Sequence, residues 1–578
     1  MRYRVDVNQI VLIAVLFLYG GFYDWNVTIA GILVMAAVLL HYIQKKPVCG
    51  RRRDLLWGIP VLLLGIQIVT SFWAVDWAEN ISGILRGVVI LLWMYLCMQM
   101  GEEGRDRILK SLPNLGFVIT AVGLISLLFP RMRAFFWRAE RFGGVFQYAN
   151  TCALFLFFCL ILQTEYLENR ILRYTGRGIS GRACDSRAER EGKCLRKQDR
   201  LVVFILGVLV LGMVLTGSRS VLLLFFLWGI YKCVKDWWFR KPFFAGAALL
   251  LAAGAVYAGI TGSYQNIGRI FTLTTANSTM YGRLLYLSDA VRMIMKHPLG
   301  LGYLGYSYMQ GAEQTGVYTV RFVHNDFVQL ALDYGVVAPI LLIIYLGVQF
   351  RKGRQSRIKK ELLAVLCMAS VVDFHLQYLS LWMAAILCLD LEEGVIHKKR
   401  KEIRENYFFL AAGMAVMLYF TIPFTALYFD RPKTALLFFP SYTEAQLAQM
   451  KKADSAGEAV AMADAVLAHN PYAADAYDYK AYAAAMEGDY DAACEYKDQV
   501  IRLRRYDVSA YKLYDELLED MIRQCSVEET AERLRERQRE LPGQLRELES
   551  ITSPLAFRTR DVPEFEWRED GEGININR

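Results

Sequence analysis

The chain has 578 residues, of which 55% are hydrophobic and 21% are charged, and its mean hydropathy is +0.25. This composition excludes an ordinary soluble multidomain protein and a disordered chain, because both are more polar. The net charge of +9 lies in loops between apolar runs, so it does not indicate a nucleic-acid partner.

The sequence predicts an all-α, polytopic membrane bundle. Charged residues come in bursts between apolar runs such as Val11–Tyr19, Leu201–Leu215 and Ala245–Ile260. Each run approaches the length needed to cross about 30 Å of hydrocarbon. The run Val221–Trp228 shows no alternation of polar and apolar residues, which argues against a membrane β-barrel.

A window of about 19 residues predicts about thirteen membrane crossings. The apolar segments lie near residues 8–25, 26–43, 55–75, 82–100, 113–129, 147–163, 201–217, 219–234, 243–262, 327–350, 361–374, 377–391 and 407–428. The segments 361–374 and 377–391 share one apolar run. The polar residues between Asp373 and Gln377 favour a tight turn there over a single tilted helix.

Basic loops predict the orientation of these helices. Every second loop is rich in Lys and Arg, and these loops lie near residues 45–53, 105–110, 164–200, 232–241, 351–360 and 398–404. Lys and Arg are retained on the cytoplasmic side, so the N-terminus is predicted inside and the region after Tyr428 outside. The chain is therefore predicted to be a multi-pass protein of the cytoplasmic membrane, with residues 1–428 as its transmembrane domain.

Two outer regions follow from this orientation. The first is a long loop at about 263–326, and long loops are usually functional. The second comprises a linker at 429–455, helical repeats at 456–540 and a poorly packed tail at 541–578. The predicted helix start Asp475-Ala-Tyr477 recurs as Ser509-Ala-Tyr511 after 34 residues, which is the tetratricopeptide period. Such repeats would recruit a protein partner, and an irregular helical cap is the alternative.

Several arginines lie on the predicted outer side, against the retention rule. Arg219 lies between two apolar helices, Arg283 lies in the long loop, and Arg141 precedes a pair of glycines. A single arginine at the end of an apolar run is usually a membrane anchor. Several together indicate an anionic ligand, and a guanidinium group suits phosphate or pyrophosphate oxygens.

His324 lies where the long loop meets an apolar helix. Histidine titrates near neutral pH, so this side chain could accept a proton from a hydroxyl group; a capping or packing role is the alternative. His297 and the glycines between Gly300 and Gly305 predict a structural turn, while His375 beside Asp373 stays open. No sequence motif indicates a metal or a nucleotide cofactor.

Taken in order, these segments resemble the O-antigen ligase/polymerase family of bacterial envelope proteins. The resemblance extends over roughly residues 50–390. Its motifs are Ser71-Phe-Trp-Ala-Val-Asp76, the segment Phe142–Asn150, Thr216-Gly-Ser-Arg-Ser220, Arg283 with the later Lys296-His-Pro-Leu-Gly300, and His324-Asn-Asp-Phe327 with Gly335.

The resemblance implies a metal-independent, membrane-embedded glycosyltransferase of the GT-C type that needs no cofactor. Its donor would be a glycan on polyprenyl pyrophosphate, such as undecaprenyl pyrophosphate, and its acceptor a glycan, a lipid or a protein. Arg219 and Arg283 would hold the pyrophosphate and His324 would be the base, with support from Arg141, Ser218 and Asn325. A polymerase of the same family and a transporter of lipid-linked sugars are the alternatives. A scaffold fits less well, because one or two crossings would anchor it.

Overall fold

The computed structural model describes residues 6–44, 55–174, 197–236, 278–391 and 400–567, with a few positions between 239 and 246. Within these ranges the chain is mainly α-helical with very little sheet, which confirms the all-α part of the predicted fold class for the described residues. The described strands form one short hairpin, β1 (Trp137–Arg138) and β2 (Arg141–Phe142).

The described helices are labelled in chain order. The first eleven are α1 (Val7–Phe17), α2 (Asp24–Ile43), α3 (Leu55–Thr70), α4 (Trp77–Ile125), α5 (Pro130–Phe136), α6 (Ala149–Tyr174), α7 (Lys197–Leu215), α8 (Arg219–Lys235), α9 (Ser278–Lys296), α10 (Gly305–Glu313) and α11 (Asp326–Tyr334). The others are α12 (Val337–Lys352), α13 (Arg357–Ser370), α14 (Leu379–Leu387), α15 (Arg400–Tyr428), α16 (Pro432–Phe438), α17 (Thr443–Met450), α18 (Ala456–Leu467), α19 (Ala474–Glu487), α20 (Tyr490–Leu503), α21 (Val508–Gln524) and α22 (Glu528–Ile551).

The chain divides into two compact units. The first unit comprises Met1–Val61, Arg86–Leu273 and Ile343–Leu418. The second comprises Leu62–Leu85, Thr274–Leu342 and Tyr419–Arg578.

Four described helices are long and apolar enough to cross a membrane. They lie at Asp24–Ile43, Trp77–Leu128, Ala149–Arg170 and Tyr407–Tyr428. Shorter apolar helices lie at Val7–Phe17, Gly58–Thr70 and Arg200–Leu215. These helices fit a membrane protein, whereas the number thirteen stays a prediction; residues 247–262 of one predicted segment lie outside the described residues.

The helix boundaries differ from the predicted membrane segments in two places. Segment 82–100 and most of segment 113–129 belong to α4, in which Gly101 has a φ of 67° and interrupts the helix. The segment 327–350 is not one helix, because Gly335 has a φ of 82° and separates α11 from α12. The predicted turn at 373–377 is confirmed, since a short 3₁₀ helix at His375–Gln377 lies between α13 and α14.

The described part of the predicted long loop, residues 278–326, belongs to the second unit and contains the helices α9 and α10. The C-terminal helices follow a regular spacing. Helices α18 and α20 begin 34 residues apart, as do α19 and α21. Gly488, with a φ of 81°, ends α19 in the left-handed conformation. This spacing agrees with the predicted period, and the tetratricopeptide interpretation remains a prediction.

The prediction of poor packing after residue 541 is wrong for the described part of that segment. Helix α22 continues to Ile551, and Leu541 and Leu545 are fully buried on one of its faces. Ala556, beyond the helix, is fully buried as well. Leu541 and Leu545 have the i, i+4 spacing of a buried helix face, but charged residues surround them and Pro542 lies between them, so the sequence alone did not indicate a packed helix. Residues 568–578 lie outside the described residues.

Candidate functional site

The loop before α8 presents Arg219 at the start of a helix in the first unit. Gly217 has a φ of 60°, which allows the chain to turn sharply after α7. Ser218 occupies the N-cap position, and its buried Oγ has no hydrogen-bond partner among the described residues. Arg219 is the first residue of α8. A helix N-terminus and a guanidinium group at the same place both favour an anion.

Arg141 holds this loop from the β-hairpin. Its Nε donates a hydrogen bond of 2.8 Å to the carbonyl oxygen of Thr216. Its Nη2 donates a second bond of 2.9 Å to Oδ1 of Asn150 at the start of α6. The predicted support residues Arg141 and Ser218 therefore lie beside Arg219, where Arg141 fixes the backbone of the loop.

Asn150 connects Arg141 to a buried carboxylate. Its Nδ2 donates to Oδ2 of Asp373 at 2.5 Å and to the hydroxyl of Tyr148 at 3.1 Å. Tyr148 in turn donates to Asp373 at 2.9 Å, so the carboxylate is held by two side chains and by the backbone nitrogen of Phe374. His375 is also fully buried, with Nδ1 lying 3.1 Å from Oγ1 of Thr151.

His324 lies in the second unit, immediately before the N-cap of α11. Asn325 is that cap, since its Oδ1 accepts hydrogen bonds from the backbone nitrogens of Phe327 and Val328 at 3.0 and 3.1 Å. On the other side, the backbone nitrogen of Val323 donates to Oε1 of Gln329 at 2.7 Å. The backbone around His324 is thus fixed on both sides, and Asn325 acts by positioning it.

Tyr286 connects His324 with the helix that contains Arg283. Its ring centroid lies 6.1 Å from that of His324 and 4.6 Å from that of Tyr318. Burial raises the pKa of the Tyr286 phenol, and the Asp561 carboxylate raises it further, while the Arg283 guanidinium opposes the shift. Tyr286 is therefore a neutral hydroxyl at physiological pH, in the same neighbourhood as Arg283 and Asp561.

Asp289 fixes the loop that supports Tyr286. Its fully buried carboxylate accepts hydrogen bonds from the backbone nitrogen and the hydroxyl of Thr315, at 2.9 and 2.8 Å. It also accepts one from Tyr318 at 2.8 Å and pairs with Arg292. Burial holds the pKa of Tyr318 well above its usual range, so this phenol stays protonated and keeps donating.

The turn around Gly300 joins α9 to the end of α11. The backbone nitrogen of Leu301 donates to the backbone carbonyl of Leu332 at 2.7 Å, and the backbone nitrogen of Gly302 donates to the backbone carbonyl of Asp333 at 2.9 Å. The nitrogen of Val336 donates back to the carbonyl of Pro298 at 3.0 Å. The predicted structural turn is present, and it fixes the far end of the helix that begins after His324.

The structure thus brings Arg141, Ser218 and Arg219 together in the first unit. In the second unit it places Arg283 and Tyr286 on α9, with the His324 ring near that of Tyr286 and Asn325 next to His324 in the chain. Sequence reasoning did not identify Tyr286, Asp289 or the role of Asn150. Polar residues within otherwise apolar stretches were the available signal for Asn150. Asp289 lies on the same buried face of α9 as Leu285, four residues earlier. The sequence gives no sign that this carboxylate is buried.

Residues 202–343 match the family model described as O-Antigen ligase. The matched stretch includes Ser218, Arg219, Arg283, His324 and Asn325. No curated protein and no solved structure matches the chain. The chain therefore contains an O-antigen ligase domain over residues 202–343.

Proposed function

We propose that this protein transfers a glycan from polyprenyl pyrophosphate to an acceptor hydroxyl at the outer face of the cytoplasmic membrane. The observation that carries the proposal is the O-antigen ligase domain, because that family implies a lipid-linked glycan donor and a membrane setting. The reaction serves the assembly of a surface polysaccharide.

Arg219 and Arg283 bind the donor pyrophosphate in this proposal. The supporting observations for Arg219 are its position at the N-terminus of α8 and the buried Ser218 hydroxyl beside it. Pyrophosphate is a competent leaving group whose departing charge needs fixed cations, and guanidinium groups can supply them without a metal ion. Arg141 keeps the loop in place through Thr216.

His324 is the general base of the proposed reaction. The acceptor oxygen forms a bond to the anomeric carbon of the donor sugar as the bond from that carbon to the pyrophosphate oxygen breaks. The acceptor proton passes to the imidazole, and polyprenyl pyrophosphate leaves. The supporting observation is that both backbone neighbours of His324 are fixed, as a positioned base requires.

We further propose that the N-terminus is cytoplasmic and that the C-terminal helices, with their tetratricopeptide-like spacing, are extracytoplasmic, where they could contact a protein partner. The six basic loops support this orientation. An alkaline phosphatase fused after residue 430 should be active in cells, and an inactive fusion would contradict the orientation.

Mass spectrometry of lipid-linked and mature surface glycans in a deletion strain tests the function. A ligase predicts that complete glycan chains accumulate on the polyprenyl carrier while the mature conjugate disappears. Accumulation of single repeat units would instead identify a polymerase of the same family. Accumulated lipid-linked glycan that a membrane-impermeant reagent cannot modify in spheroplasts, and that therefore lies in the inner leaflet, would identify a transporter. An unchanged lipid-linked pool would contradict all three functions.

A further inference from the structure

A C-terminal strap, defined here as residues 552–561, lies along the part of the second unit that contains Arg283 and His324. It begins where α22 ends, and the Thr552 hydroxyl lies 2.9 Å from that of Tyr506. The backbone nitrogen of Ser553 donates a hydrogen bond of 2.9 Å to the carbonyl of Thr315. The strap is therefore attached to the loop that Asp289 fixes.

Apolar packing holds the middle of the strap. Ala556 is fully buried in a cluster with Leu285 and Tyr318, against which Tyr286 and Leu555 also pack. A Cβ on Gly316 would lie only 2.5 Å from the Cβ of Ala556. The two segments are in direct contact, so the strap has a fixed position against α9.

Beyond Ala556 the strap places two charged side chains beside α9. The Arg558 guanidinium carbon lies 5.4 Å from the ring centroid of Tyr281, and Nη1 of Arg558 lies 3.4 Å from the Tyr281 hydroxyl. Asp561 follows three residues later, and the Thr559 hydroxyl between them lies within hydrogen-bond distance of the carbonyl oxygens of Ala556 and Asp561, at 2.7 and 3.0 Å, so Arg558 and Asp561 belong to one compact turn. Burial raises the pKa of Tyr286, and the Asp561 carboxylate raises it further. Both strap residues are exposed, so a ligand can reach them from solvent.

We propose that Arg558 and Asp561 of the strap, together with Tyr281, form a glycan-binding subsite beside Arg283. The inference rests on the proposed function, because it assigns these residues to the sugar part of the substrate. A guanidinium group donates hydrogen bonds to sugar oxygens, and a carboxylate accepts them from sugar hydroxyls. Tyr281 holds the Arg558 guanidinium in place through its ring and its hydroxyl. A positioned donor and an acceptor on the same turn match a hydroxyl-rich ligand.

This subsite would give the C-terminal helices a role in substrate selection. The strap is continuous with α22, whose residues Leu541 and Leu545 are buried in the core of the repeat helices. Ala556 then fixes the strap on the O-antigen ligase domain. Replacing the C-terminal region of the chain would therefore change the sugars that the site accepts without changing Arg283 or His324.

Binding measurements on the full-length protein purified in detergent test the subsite. The probes are the oligosaccharide released by mild acid from the lipid-linked glycan of the host, and inorganic pyrophosphate. Arg558→Ala and Asp561→Asn should each weaken oligosaccharide binding about tenfold, the value of one charge-assisted contact, and neither should weaken pyrophosphate binding. Arg523→Ala is the matched control, because Arg523 is an exposed arginine of the same region whose carboxylate partners lie on its own helix; it should change neither affinity.

Each outcome decides between the two proposals. Wild-type oligosaccharide affinity in both strap variants, or no oligosaccharide binding by the wild-type protein, would overturn the subsite. A second outcome separates the proposals: the wild-type protein binds the oligosaccharide and the strap variants do not, but membranes containing the wild-type protein transfer no glycan. In that case the subsite is supported and the proposed function is contradicted. Equal thermal unfolding midpoints for the variants would exclude misfolding as the cause, as expected for two exposed side chains.

Discussion

A Cβ atom on Gly300 would lie 2.5 Å from the backbone nitrogen of Gly335. Both glycines have positive φ angles, 90° and 82°, which side chains disfavour. Each residue therefore has to be glycine for two reasons, its backbone conformation and the proximity of the other segment. This contact closes the turn that fixes the end of α11, the helix that begins after His324.

Gly300→Ala should destabilise the protein by about 1–3 kcal/mol, because the strained backbone and the steric overlap add together. The measurement is the thermal unfolding midpoint of the purified protein, with membrane abundance as a second readout. Gly347→Ala is the matched control, since a Cβ at that helical position meets no atom within 4 Å. A variant at Gly300 as stable as the control would contradict the steric argument.

An exchange of two side chains tests the network around Asp373. Asn150→Asp alone would place two carboxylates at the present 2.5 Å contact, and the repulsion should cost about 3 kcal/mol or more. Adding Asp373→Asn restores a contact between one amide, now at position 373, and one carboxylate, now at position 150. The carboxylate at position 150 then lies beside the Arg141 guanidinium. The double variant should therefore regain much of the lost stability. Unfolding midpoints of both single variants and the double variant decide the point, and no recovery would mean that the contact is not a direct one.

The class of fold could be predicted from apolar run lengths, and the break at 373–377 could be predicted from its polar residues. The division of the segment 327–350 could not, because Gly335 in an apolar run is compatible with a continuous helix. Only its contact with Gly300, 35 residues earlier, makes the break necessary. Long-range contacts of this kind leave no local periodicity.

For the site, the sequence identified side chains whose charge was unusual for their location, such as Arg219 and Arg283. It did not identify the residues that hold them. Asn150 is separated by 223 positions from Asp373, and Asp561 is far along the chain from Tyr286. The burial of α22 was missed for a different reason, because its sparse leucines are outnumbered by charged residues.

The C-terminal helices should lose stability below about pH 3.8, the ordinary pKa of an unpaired Asp side chain. Burial alone would raise the pKa of Asp475, but the hydrogen bond from Lys451 and the charge of Arg504 outweigh it and lower the pKa below its ordinary value. The stabilisation is complete above the unfolded pKa and is lost as the pH falls through the lower folded pKa. Limited proteolysis of the full-length protein across this pH range should show the transition, and Asp475→Asn should weaken its pH dependence.

Arg219→Lys and Arg283→Lys should each remove most glycan transfer while membrane abundance stays normal. Lysine keeps the charge but lacks the planar fork that binds two phosphate oxygens at once. Transfer is measured in membranes supplied with the native lipid-linked donor, and inorganic pyrophosphate binding by the purified variants should weaken in parallel. Arg240→Lys is the comparison, because Arg240 donates to the carbonyl of Cys233 in a predicted cytoplasmic loop. Near-wild-type transfer in both site variants would contradict the pyrophosphate assignment.

His324→Ala should lose transfer by about 10²–10⁴-fold, the usual contribution of a positioned general base. An acceptor hydroxyl is a weak nucleophile at neutral pH, so removing the group that takes its proton slows the chemical step. Donor binding should persist, because the proposed pyrophosphate contacts belong to Arg219 and Arg283. The matched control is His297→Ala, a histidine of the same outer region whose backbone forms the turn before Gly300. Retained transfer by the His324 variant, or lost donor binding, would contradict the role of His324 as the base. It would indicate a structural role beside Asn325, the N-cap of α11.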